Sequence, residues 1–88
     1  MPSKAEKLLE RLSQTSRGFS DRDLWTILTS KGFRSREGNH TVYEHSEHPD
    51  LVTVIPQGRE LHPKYAKWVK GLLVELARRQ APNEGGEK

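Results

Sequence analysis

Cysteine is absent from these 88 residues. Neither a disulfide nor a thiolate zinc site can therefore hold the fold. A reducing compartment suits such a chain, and the expected location is the cytoplasm. No apolar run approaches the roughly 20 residues that a membrane-spanning helix needs, so no membrane partner is expected. Apolar residues make up only 32% and the mean hydropathy is −0.88. Aromatic residues are few, two each of Trp, Tyr and Phe. No targeting segment is read at the start, because Met1-Pro2-Ser3-Lys4 runs straight into an amphipathic pattern.

Charge of neither sign dominates. Fifteen Lys and Arg face twelve Asp and Glu, a net +3 with a pI near 9.5. This permits a nucleic-acid partner without requiring one. The length is that of one domain with one small core, which buries only about 60–65% of its unfolded surface.

Ser3 and Glu6 have the spacing of a capping box. Ala5, Leu8, Leu9 and Leu12 then recur at helical spacing and predict a short amphipathic helix over 3–13. Gln14 to Phe19 breaks it, punctuated by Gly18. Ser20 opens a second helix, with Asp21 and Asp23 suited to its N-terminal dipole and Leu24, Trp25, Ile27 and Leu28 as its buried stripe. Gly32 is placed to end it in the left-handed conformation.

A short extended segment, Phe33 to Arg36, leads into turn residues Glu37-Gly38-Asn39. From His40 to His45 the chain alternates. His40, Val42 and Glu44 share one face; Thr41, Tyr43 and His45 share the other. Leu51 to Ile55 is apolar and largely β-branched, a strand that Pro56 ends. Pro63 fits the first turn of a closing helix, striped by Tyr65, Val69, Leu72, Leu73 and Leu76. Residues 81–88 read as a disordered tail. The expected fold is α+β and two-layered: a three-stranded antiparallel meander packed on helices, in a single domain over 1–80.

The ordered set Gly32-Phe33, a basic loop, Gly38-Asn39-His40, Val42-Tyr43-Glu44-His45 and Val52-Thr53-Val54-Ile55-Pro56, then a closing helix, resembles the HicA family of bacterial toxins. The resemblance spans roughly Asp21 to Leu76, so the first helix is an N-terminal extension to a core over 20–79. It implies a fold like the double-stranded-RNA-binding domain. It implies an mRNA interferase, an RNA endonuclease that needs no metal or other cofactor and blocks translation. It also implies a HicB-like antitoxin partner. The free chain is expected to be a monomer or weak dimer. Where the family often carries two adjacent histidines, this chain has His40 and Thr41; where many members have a histidine after the strand-ending proline, it has Gln57 or Gly58.

Under this resemblance His40 is the expected catalytic residue, and its chemistry suits the role. Metal-free RNA cleavage needs a base for the 2′-hydroxyl, an acid for the leaving oxygen and cations for the phosphate. Imidazole serves either proton role near neutrality. Arg34, Arg36, Gly38, Asn39 and Lys64 are the expected RNA-binding residues, with Arg36 and Lys64 as phosphate clamps and Gly38 as a point of close backbone approach. Tyr43 and His45 are candidates for a second proton-transfer group, though on the opposite face. Bland readings stand beside these. Lys64, Lys67 and Lys70 read as a solvated helix face, and Trp25 and Trp68 as packing residues. His45-x-x-His48 lacks a third metal ligand, and His62 reads as a cap-region residue. The alternatives are a non-catalytic RNA-binding module on the same fold and a small protein-interaction domain.

Overall fold

The computed structural model describes residues 3–80; the tail expected over 81–88 lies outside them. The elements run α1 (Lys4–Gln14), α2 (Asp21–Ser30), β1 (Phe33–Arg36), β2 (His40–His45), β3 (Val52–Pro56) and α3 (Pro63–Gln80). The strands form one antiparallel sheet in the order β1-β2-β3. Its register sets Arg34 opposite Glu44 and Arg36 opposite Val42, and on the other side His40 opposite Pro56 and Val42 opposite Val54. The helices cover one face of the sheet, and the other is open. This is the expected two-layer α+β arrangement.

Each helix start has a local cause. Ser3 accepts from the Glu6 amide at 3.1 Å while the Glu6 carboxylate takes the Ser3 amide at 2.8 Å. Ser20 and Asp23 repeat the same box on α2. Such a cap contributes about 1 kcal/mol. At α3 the His62 Nδ1 accepts from the Lys64 amide at 3.1 Å, so His62 serves as the cap-region residue its position suggests.

The core joins Leu8 and Leu12 of α1, Leu24, Ile27 and Leu28 of α2, Phe33, Tyr43 and Ile55 of the sheet, and Val69 and Leu76 of α3. Burying each large aliphatic side chain contributes about 1.5–3 kcal/mol. Two sequence expectations shift. Phe19, placed in the break between helices, is 1% exposed and lies under the Arg11 guanidinium, which stacks 4.4 Å from its ring centre and donates to the Gly18 carbonyl. Trp25, expected in the buried stripe, is 45% exposed. It follows Leu24 by about 100° around the helix and so turns off the core-facing side.

His45 locks α2 to the sheet. It is 2% exposed. Its Nε2 lies 3.0 Å from the Lys31 carbonyl, and its Nδ1 accepts from the Glu47 amide at 3.0 Å. Those partners require the Nε2–H tautomer: a carbonyl takes the proton on one side and an N–H supplies one on the other. Gly32 lies against this ring. Its φ is +91°, and a Cβ there would come within 2.9 Å of His45 Nε2. The Ser46 amide closes the corner by donating to the Gly32 carbonyl at 3.1 Å.

The far end of α3 is tied by Arg79. Its guanidinium donates to both Asp50 oxygens, at 2.9 and 2.7 Å, and to Glu75 at 2.8 Å. Asp50 is held at about 2, chiefly by its hydrogen bonds from Arg79. Glu75 is likewise held at about 2, by hydrogen bonds from Arg78 and then Arg79. Among the described residues, no helix is long and apolar enough to cross a membrane.

Two outcomes are expected. Gly32→Ala destabilises by about 1–3 kcal/mol through left-handed strain and the clash with His45, which thermal unfolding reads as a fall of roughly 4–20 °C. Second, both clamp carboxylates lie below their unfolded values, so their contribution is present above about pH 4.5 and is lost as pH falls through about 2. Arg79→Ala should flatten the acid limb of the stability curve in that window and leave the region above pH 6 nearly parallel to wild type.

Candidate functional site

The open face of the sheet carries Arg34 and Arg36 from β1, His40, Val42 and Glu44 from β2, and Val52 and Val54 from β3. His40 stands at the start of β2, exposed, just after the Gly38-Asn39 turn. The structure thus brings His40, Arg34, Arg36, Gly38 and Asn39 to one side of the molecule. The arginines are not unopposed. Glu44 sits across from Arg34 and its carboxylate is 4.0 Å from the Arg36 guanidinium. Glu44 follows His40 by four strand residues, about 13 Å, too far for the two to act on one phosphate.

Lys64 is not part of this face. It lies in the first turn of α3, within the helical layer, with its ammonium 5.2 Å from the Tyr65 ring centre and 5.6 Å from that of Trp68. The two other candidate proton-transfer groups lie on the face opposite His40, as the alternation along β2 requires. His45 has both ring nitrogens engaged inside the fold, so it neither joins His40 nor offers a free pair with His48 to a metal. Tyr43 is 1% exposed on the face that meets the helices. Trp68 is half exposed and stacks edge-on to Tyr65.

Two further concavities went unread in the sequence. The larger is an open groove of about 730 Å³ between the α1–α2 connection and the start of α3, where Arg17, Lys67 and Lys70 face a single carboxylate, Glu60. Lys67 and Lys70 read as a solvated helix face; the fold adds Arg17 across from them. The smaller is a cleft of about 230 Å³ at the His40 end of the sheet, on its inner side. Thr41 and Tyr43 of β2 line it beside the first turn of α2 and the β1–β2 turn. Its signal in the sequence was the polar run Thr41, Tyr43, His45 on the face of β2 that has to meet the helices.

Gly38 can be tested apart from the ligand. Its φ is not positive, and a Cβ there would make an ordinary 3.6 Å contact with the His40 carbonyl. Gly38→Ala should therefore leave thermal stability within about 0.5 kcal/mol of wild type. A loss of RNA binding at unchanged melting temperature would locate a close approach of ligand to this turn.

No protein-family model, curated protein or solved structure matches this chain.

Proposed function

We propose that the chain is a HicA-like ribonuclease toxin, an mRNA interferase of the cytoplasm that is neutralised by a HicB-like antitoxin. The observation that carries the reading is the position of His40: exposed, at the start of the middle strand, on an open sheet face that also presents Arg34 and Arg36. The order of elements supports it. From Asp21 to Gln80 they run helix, three-stranded meander, helix, the order of a double-stranded-RNA-binding domain, with α1 as an addition. That fold class binds RNA largely by shape and backbone contacts.

In this reading a backbone phosphate lies against the Arg36 side of the turn. His40 either takes the proton of the 2′-hydroxyl as its oxygen attacks phosphorus, or gives a proton to the departing 5′-oxygen. The new P–O bond closes a 2′,3′-cyclic phosphate as the P–O5′ bond breaks. One positioned acid or base contributes about 10²–10⁴-fold. The exposed valines 52 and 54 beside these cations offer apolar area that a covering antitoxin would bury.

One observation favours a second reading, an RNA-binding module without cleavage. Thr41 turns away from His40 toward the helices, and His45 is locked in the fold. No second imidazole shares the open face among the described residues.

The test is cleavage of single-stranded and duplex RNA by purified wild type and His40→Ala, in EDTA at low salt. The expected result is cleavage by wild type and a loss of about 10²-fold or more in the variant, with unchanged melting. Equal cleavage by both would remove His40 from the mechanism. Binding without cleavage by either selects the second reading. In binding assays, Arg36→Ala should lower the slope of log affinity against log salt by about 1; an unchanged slope would place the phosphate contact elsewhere.

A further inference from the structure

The inner cleft at the His40 end of the sheet is lined by two residues whose hydroxyls the fold does not use. Thr41 is 8% exposed and Tyr43 1%. Both line the cleft, and neither hydroxyl has a hydrogen-bond partner among the described residues. A buried hydroxyl without a partner costs about 1–3 kcal/mol. Tyr43 could have been Phe and Thr41 Val at no cost to the packing. Two such residues, at alternate positions on the inner face of β2 and lining one cavity, point to a ligand that satisfies them.

The walls define its chemistry. Asp21 and Glu37 place two carboxylates against one guanidinium, Arg22. Asp21 is fixed in place: its amide donates to the Gly58 carbonyl at 3.0 Å, and its Oδ1 accepts from the Gly58 amide at 3.3 Å, which leaves Oδ2 free. Burial, then the charges of Asp21 and Glu37, push the Tyr43 phenol up to about 12, so it stays a donor. A phosphate is repelled by this lining. A planar group with N–H donors for a carboxylate and a carbonyl for the hydroxyls is attracted. The indole of Trp25, half exposed, forms one wall and offers a stacking surface. The volume suits one heterocycle and not a whole nucleotide.

We propose that this cleft binds an unstacked guanine base. Guanine carries adjacent N1–H and N2–H donors on its Watson–Crick edge, matched to the free side of Asp21 or to Glu37. Its O6 meets the Tyr43 or Thr41 hydroxyl. Adenine and cytosine offer one amino group and no adjacent ring N–H; uracil offers one N–H between two carbonyls. Thr41 follows His40 directly on β2, and Gln57, also on the cleft, follows His40's register partner Pro56. Base and phosphate sites thus lie on two sides of one strand end. As an RNA subsite, the cleft rests on the ribonuclease reading; as a guanine site it does not.

The experiment has two arms, run on wild type, Tyr43→Phe and Thr41→Val. The first measures binding of labelled single-stranded heptanucleotides, six uridines around a central G, A, C or U, by anisotropy at fixed salt. The second measures free guanosine, with adenosine as control, by saturation-transfer NMR. The expected result is at least about tenfold preference for the G oligonucleotide. It should fall to under roughly threefold in Tyr43→Phe, with all-uridine binding unchanged. Neither variant should melt lower than wild type, because neither hydroxyl has a partner to lose; Thr41→Val keeps the test open should Tyr43→Phe misfold. Salt-sensitive binding of all four oligonucleotides alike, with no guanosine signal, would overturn the guanine site and leave the RNA reading standing. Guanosine binding without RNA binding would sustain the site and overturn the RNA reading. Absence of both overturns both.

Discussion

A strand in a two-layer domain hides only every second side chain, and β2 is the strand on which this constraint falls hardest. It pairs with β3 from His40 to Glu44 and with β1 from Val42 to His45, so its side chains choose what each face does. One phase gives His40, Val42 and Glu44 to solvent. The other gives Thr41, Tyr43 and His45 to the helices. A shift of one residue would exchange the two sets. The register is protected against that slip at the far end, where the His45 ring is held between two backbone groups and pressed on Gly32.

The three inward residues of β2 solve the problem of polar burial in different ways. His45 is satisfied within the chain, at the cost of a glycine beneath it. Tyr43 is part of the core and also lines a cleft at its edge. Thr41 sits nearest the strand start and lines the same cleft. The exposed His40 and the inner cleft thus share one end of the sheet, while the fully hydrogen-bonded His45 marks the other.

Much of the fold was legible. Periodicity placed all six elements, because the helical stripes and the β-branched run of β3 are unambiguous, and Ser3, Ser20, Gly32 and Pro63 mark ends by local backbone chemistry. The errors have physical causes. Trp25 adjoins a buried leucine in sequence, yet 100° of helix rotation carries it outward. Phe19 lies in a connection with no period to read, and only the three-dimensional packing under Arg11 reveals it as core. Alternation separated the two faces of β2 but could not say which residues from α2 and the β3–α3 loop would stand across from Thr41 and Tyr43. Long-range juxtapositions such as Asp21 with Gly58, or Arg17 with Lys67 and Lys70, leave no local trace. The separation of Lys64 from the arginines is likewise unmarked in the sequence, because its helix belongs to the other layer.

The clamp of Arg79 on Asp50 joins the last turn of α3 to the turn between β2 and β3. Its effect is architectural. The segment from Asp50 to Arg79 becomes a loop whose two ends are pinned together, and its pin lies at the end of the sheet remote from His40. The Gly38-Asn39 turn at the opposite end has no such fastening among the described residues. At that opposite end the first turn of α2 is tied instead to the β3–α3 loop, through the two hydrogen bonds between Asp21 and Gly58. A ligand entering between the β1–β2 turn and the first turn of α2 would thus meet one wall that is fastened and one, Gly38-Asn39, that no ion pair holds among the described residues.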